Sequence, residues 1–242
     1  MSVRRLYHDQ PHDFSFSPEN LAWATKKMTE YPPGKQASAV IPVLWRVQEQ
    51  EGWVSEPSIR AVGNLLDMAY IRVLEVATFY TMFLLQPVGT TAHVQVCGTT
   101  PCMLRGAGEI KKVCERRIHH DQFHLSADGR FSWEEVECLG ACVNAPMVMI
   151  GKDSYEDLTV QSFEAVLDGY AAGIPPRTGP QIDRQFSAPV GGEQTLLDGS
   201  LFDGSRVGGW KAQFDVRERA KAEAAAQKAA EAAQAAAAKP AA

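Results

Sequence analysis

The 242-residue chain is defined first by what it lacks. No run approaches the roughly 18 consecutive apolar residues of a membrane-spanning helix. The N-terminal "MSVRRLYHDQPHDFSFSPEN" has no apolar stretch of the kind a secretory leader carries. Asp9, Asp13 and two prolines intrude on any reading of it as a transit peptide, so no targeting segment is expected. Positive charge is not in excess. The net charge of -5 argues against a general nucleic-acid binder, which would show a basic patch or stripe. There is no C-x-x-C, the spacing of disulfide oxidoreductases. Five cysteines, an odd number without a secretory leader, do not form a disulfide framework. The one G-x-G, in "RGAGEI", has Lys111 where the third glycine of a dinucleotide loop belongs. No other phosphate loop is present, so the chain is not expected to bind NADH or FMN fully by itself.

What is present reads as an α+β chain in four parts. After an N-terminal arm, 1–16, the segment 17–86 reads as a helical bundle. Ser17 followed by Pro18 and Glu19 is a helix start, and Pro32-Pro33-Gly34 a stop. Val40, Val43, Leu44 and Val47 fall at helical spacing, with Gly52 as cap and a kink or break expected near Pro42. Ser55 starts a third helix with Ile59, Val62, Leu65 and Leu66 inward. "IRVLEVATFYTMFLL" is a fourth, with Phe79, Tyr80 and Phe83 expected in the bundle core.

From 90 to 173 the pattern is that of a small α/β domain. "TAHVQVC" alternates as a strand does. "PCMLRGAGEIKKVCERRI" reads as one helix whose inner stripe is Leu104, Ala107, Ile110, Cys114 and Ile118. Asp128-Gly129 between two extended runs signals a hairpin. "APMVMIG" is a further strand, and a closing helix is capped by Thr159 and stopped by Gly173. The stretch 174–242 reads as a tail. Its Leu196, Leu197, Leu201, Phe202, Trp210 and Phe214 punctuate a Gly- and Ser-rich segment that is either a disordered linker or an arm docking on a partner. Residues 220–242 hold 15 alanines in 23 positions, which favours helix but offers nothing large to pack.

Four cysteines carry the chemistry. Cys97 and Cys102 have four residues between them, and Cys138 and Cys142 three. The first pair falls at a strand end and the following helix start, the second at a strand end and its loop. If the domain folds back on itself, both pairs meet at one end of the sheet. Four thiolates there suit a structural zinc, for which such spacings are usual, or a [2Fe-2S] cluster with two thiolates per iron. No histidine replaces a cysteine in either pair, which disfavours a Rieske centre. The small neighbours Gly98, Thr99, Thr100, Gly140 and Ala141 can bring backbone N–H groups toward sulfur, which favours iron–sulfur.

"VCGTTPCMLRGA" followed by "EVECLGACVNAP", with 35 residues between Cys102 and Cys138, resembles the thioredoxin-like [2Fe-2S] ferredoxin subunit of NADH:quinone oxidoreductase, respiratory complex I. "YPPGKQASAVIPVLWRVQEQEGW" and "EVATFYTMF" resemble the helical region of the same family, and the likeness covers about 17–172. The resemblance implies a thioredoxin-like fold for 90–173, with Cys97 and Cys102 on one iron and Cys138 and Cys142 on the other. It also implies a place beside the subunit that carries FMN and the NADH site and the large iron–sulfur subunit, in a peripheral arm on the cytoplasmic side of a bacterial inner membrane (or in a mitochondrial matrix). Single electrons would be exchanged with the flavin. Related subunits serve NAD-linked hydrogenases and formate dehydrogenases; a zinc-stapled assembly module and a stand-alone ferredoxin are the other readings.

Other residues have plainer expectations. Cys114 reads as a buried thiol. His119, His120 and His124 read as a solvated helix end and strand rather than a metal site. Glu134, Glu135 and Glu137 read as a charged strand face, or as carboxylates that hold a nearby potential low.

Overall fold

The computed structural model describes residues 4–192, 194–201, 203–204 and 208–237. Those up to Ser187 form one compact unit and those from Ala188 onward a second.

In the first unit, α1 (Pro18–Met28) starts on Ser17, whose hydroxyl accepts the Asn20 N–H, satisfying a donor that the helix cannot. A 3-10 turn, Gln36–Ala39, leads into α2 (Val40–Glu51), which ends on the left-handed Gly52 at φ 82°. The expected break at Pro42 falls instead ahead of Val40. Pro42 lies in the first turn, where its missing N–H costs no helical bond. Ser55 caps α3 (Glu56–Leu66), and α4 (Tyr70–Phe79) follows. Val43, Leu44, Val47, Ile59, Val62, Val73 and Phe83 are the centre of this helical core. Phe79 and Tyr80 do not join it: Phe79 is 77% exposed and Tyr80 39%. Phe79 ends the helix pointing outward and Tyr80 leaves the helical path as its extended cap, while Phe83 beyond them is buried as expected.

The α/β part is a five-stranded sheet in the order β2-β1-β3-β4-β5, formed by β1 (Ala92–Cys97), β2 (Phe131–Val136), β3 (Val148–Ile150), β4 (Asp153–Glu156) and β5 (Gly179–Pro180). β1 and β2 run parallel, with Cys97 opposite Val136. β1–β3 and β3–β4 are antiparallel. The expected single helix after β1 is two, α5 (Thr100–Leu104) and α6 (Ala107–Arg117), split at Gly106 with φ 108°. That conformation is disfavoured for residues with a Cβ, and it rotates α5 off the stripe of α6. Leu104 is consequently 81% exposed rather than inward, while Ala107, Ile110, Cys114 and Ile118 are buried as their spacing implies.

The hairpin expected at Asp128-Gly129 is half formed. Phe123 N–H donates to the Trp133 carbonyl and Ser126 N–H to that of Phe131. Phe123, however, has a left-handed φ of 64°, and the run before the turn is not a strand. The true hairpin is β3–β4, turning at Gly151. α7 (Val160–Ala171) is capped by a reciprocal Thr159–Ser162 pair. Trp133, Val94, Val96, Ile110, Val113, Tyr155, Phe163 and Val166 are packed together where α6 and α7 meet the sheet.

In the second unit, α8 (Gly209–Ala237) is the main element. Leu196, Leu197 and Phe214 are exposed. Phe202, the Trp210 side chain and residues 238–242 lie outside the described residues.

Candidate metal centre

Parallel pairing of β1 and β2 puts both of their C-terminal ends on one edge of the sheet. Cys97 is the last residue of β1, and Cys102 lies in α5 just beyond it. Cys138 follows β2 by two residues, and Cys142 opens a 3-10 turn, Cys142–Asn144. The four sequence-predicted thiols are thereby brought to one place. Cys138 and Cys142 stand Sγ to Sγ at 3.4 Å. Cys97 and Cys102 interact directly, a charge on Cys142 is felt at Cys102, and one on Cys97 is felt at Cys142. None of the five cysteines is in a disulfide. Cys97 and Cys102 are each only 1% exposed and pack with Ala107, Ala145 and Met147, whereas Cys138 and Cys142 are exposed.

The two pairs differ electrostatically. Burial opposes ionisation of Cys97, yet its pKa is held below the ordinary thiol value. The Thr99 hydroxyl, 3.5 Å from Sγ, and the N–H groups of Leu139 and Thr99 outweigh the burial. Cys102 is pushed up to about 12 by burial and then by Cys97, with Met147 N–H opposing. Cys142 is raised, first by its hydrogen bond with Cys138. The donors to the sulfurs of the buried pair are therefore Thr99, Leu139 and Met147. Gly98 N–H is spent on the Val136 carbonyl. Only Thr99 among these donors was legible in the motif, because Leu139 and Met147 reach sulfur through the fold.

This set can hold a binuclear centre. One zinc with bonds of about 2.3 Å would draw all four sulfurs to about 3.8 Å of one another. Among the described residues, the groups of three or more His, Cys, Asp or Glu with ligand atoms within 4.8 Å comprise only His119, Asp121 and His124. The thiols instead stand as two pairs, the arrangement that two irons with two thiolates each require. The N–H groups aimed at sulfur fit the same group.

Two other constellations do not make sites. The rings of His119 and His124 stack at 4.7 Å and 13°, so their lone pairs lie in separate, nearly parallel planes and do not converge on one ion. Asp121 N–H also occupies His119 Nδ1. Ser132 Oγ, His93 and Glu134 line up at 2.8 and 3.2 Å, the order of an acyl-transfer triad. Ser132, however, is fully buried and accepts the Gly89 N–H, so no substrate reaches it. Glu134 is thus tied inward, Glu135 pairs with Lys111 Nζ at 3.0 Å, and Glu137 remains exposed. Cys114 is buried, with its pKa raised chiefly by that burial.

A parallel β1–β2 pair carrying two cysteine loops at its C-terminal edge, backed by α6 and α7, defines a thioredoxin-like iron–sulfur protein. The chain belongs to the thioredoxin-like [2Fe-2S] ferredoxin family, whose model matches residues 24–171. Over 203 residues it is 60% identical to a subunit of the NADH-quinone oxidoreductase of Rhizobium meliloti (strain 1021), covering 81% of this chain and 73% of the relative. It is 49% identical over 157 residues to the corresponding NADH-quinone oxidoreductase subunit of Rickettsia bellii (strain RML369-C), covering 64% and 93%. Among solved structures it is similar to an NAD+-reducing [NiFe]-hydrogenase in the H2-reduced state, with a TM-score of 0.49 and 14% identity over 57% of this chain and 23% of that one.

Proposed function

We propose that this chain is the [2Fe-2S] electron-transfer subunit of an NADH:quinone oxidoreductase, exchanging single electrons with FMN in a neighbouring NADH-binding subunit. The observation that carries the reading is the pairing of the thiols: two buried and two exposed at one sheet edge, in a family of [2Fe-2S] ferredoxins. Cys97 and Cys102 would hold one iron, Cys138 and Cys142 the other. When bound, such a cluster supplies a one-electron redox couple. The chain's own residues do the rest. Thr99, Leu139 and Met147 donate hydrogen bonds to sulfur, which stabilises added negative charge and raises the potential. Glu135 contributes little against this, because Lys111 offsets its charge. The exposed Met103, Leu104 and Val143 flank the cysteines and supply apolar surface for a flavoprotein. The side bearing Cys138 and Cys142 is where a partner's cofactor can approach.

The partners are then the FMN- and NADH-binding subunit and the large iron–sulfur subunit, in a peripheral arm on the cytoplasmic face. No helix among the described residues is long and apolar enough to cross a membrane. The test is iron, sulfide and zinc content with EPR of the anaerobically purified chain. Two irons and two sulfides, with a rhombic signal only after dithionite, are expected. One zinc and no signal after iron–sulfur reconstitution would overturn the reading in favour of a zinc clasp.

A further inference from the structure

The 3-10 turn Cys142–Asn144 is held from a distance. Asn144 is 1% exposed, and every polar atom of it that bonds reaches another segment or its own turn. Its carbonyl accepts the Asp157 N–H at 2.7 Å, and its N–H donates to Ala141 at 2.9 Å. Its Nδ2 donates to Glu156 Oε2 at 2.6 Å and to the Phe186 carbonyl at 3.1 Å. Its Oδ1 accepts from Arg184 Nη1, which also donates to the Val143 carbonyl at 3.4 Å. Arg184 and Asp157 form an ion pair at 3.5 Å, both side chains only 8% exposed. That pair lacks a hydrogen bond of its own: Asp157 Oδ2 and Arg184 Nε are unpartnered. A buried guanidinium is costly unless its donors are used, and here the donors that are used go to the turn. Arg184 is delivered by the strand that follows α7. β5 pairs with Tyr155 and Glu156, and Gln181 N–H donates to the Glu156 carbonyl.

We propose that Arg184 is a positioning residue for the Cys138–Cys142 pair, locking the turn after Cys142 from a segment beyond the family-matched region. Its Nη1 bonds both the carbonyl of Val143 and the side chain of Asn144, and Asn144 in turn ties the loop to β4. The first pair needs no such lock, since the core encloses it. The role as a positioner of ligands rests on the function proposed above; the lock on the turn does not.

Hydrogen exchange on the full chain reads the lock without any cluster. Arg184→Ala should speed exchange of the amides in 139–146 about tenfold, because local opening follows the stability of local contacts. β1 and β2 should be unchanged. Arg184→Lys, which keeps the charge but not the planar, weakly hydrated guanidinium held in the buried pair with Asp157, should restore little of the protection. Gln181→Ala removes the side-chain bonds to the Arg177 and Gly179 carbonyls at 2.8 and 3.0 Å, which loosens the arm without touching the turn, and should leave 139–146 as in the parent. In the loaded protein, Arg184→Ala should broaden the EPR spectrum of the reduced cluster and speed iron loss to a chelator. Unchanged exchange in 139–146, or an equal effect from Gln181→Ala, would overturn the proposal. Zinc in the parent protein would instead sink the cluster reading and leave the exchange result standing.

Discussion

The two cysteine loops do the same job by different means. The loop after β1 is held by enclosure: Cys97 and Cys102 are buried among Ala107, Ala145 and Met147, and burial and hydrogen bonds move their pKa values apart. The loop after β2 is held by tethers. Cys138 and Cys142 are exposed, and the turn behind them hangs on Asn144, Asp157 and Arg184. One side of the candidate site is thus enclosed by the core and the other, tied from behind, is exposed.

The sharpest way to break this comparison is to remove one thiol from each wall. Cys102→Ser and Cys142→Ser should both abolish iron retention. Only Cys102→Ser should also destabilise the metal-free fold, by about 1–2 kcal/mol, since a buried hydroxyl without a new partner costs about that much. Thermal unfolding of the two apo variants reads the difference, and equal midpoints would dissolve the distinction. After the loss of iron, the largest effect on stability is that of Trp133→Ala. Trp133 pairs opposite Val94 on β1 and donates Nε1–H to the His119 carbonyl at 2.7 Å. Its loss should cost about 3–5 kcal/mol in denaturant unfolding and free the β2 loop first.

Gly98→Ala is milder. A Cβ there would stand 2.0 Å from Glu135 Oε1, so the carboxylate must leave Lys111. A loss of about 1 kcal/mol is expected, and Glu135→Ala in the same chain should relieve it. The smallest effect is a pH effect between the helical region and the sheet. Glu49 has its pKa lowered, first by Lys152 of the β3–β4 turn and then, burial opposing, by Arg46. Its contribution is whole above the ordinary carboxylate range and lost as pH falls through the lower folded value. The pair is solvated, so Glu49→Gln should flatten the acid limb of a stability–pH curve by well under about 1 kcal/mol.

Local rules read much of the chain correctly. Ser17, Ser55 and Thr159 cap helices where their side chains suit it, and Cys114 is buried on the stripe its spacing implies. One error is local: Gly106 splits one expected helix and turns Leu104 outward. The others arise where more distant contacts decide. The stretch before Asp128-Gly129 fails as a strand because Phe123 turns left-handed and Gln122 Oε1 accepts the Glu135 N–H. The short β4 and two-residue β5 have too little pattern to announce themselves.

The sequence by itself determined the caps, the apolar stripes and the two cysteine spacings, because each depends on residues a turn or two apart. Only the tertiary structure decided that β1 and β2 run side by side and parallel, bringing two loops 35 residues apart to one edge. It alone decided that one pair is buried and the other exposed, and that Arg184 reaches back to Asn144. Strand order and long-range contacts are settled by how whole faces pack, and no local window contains that information.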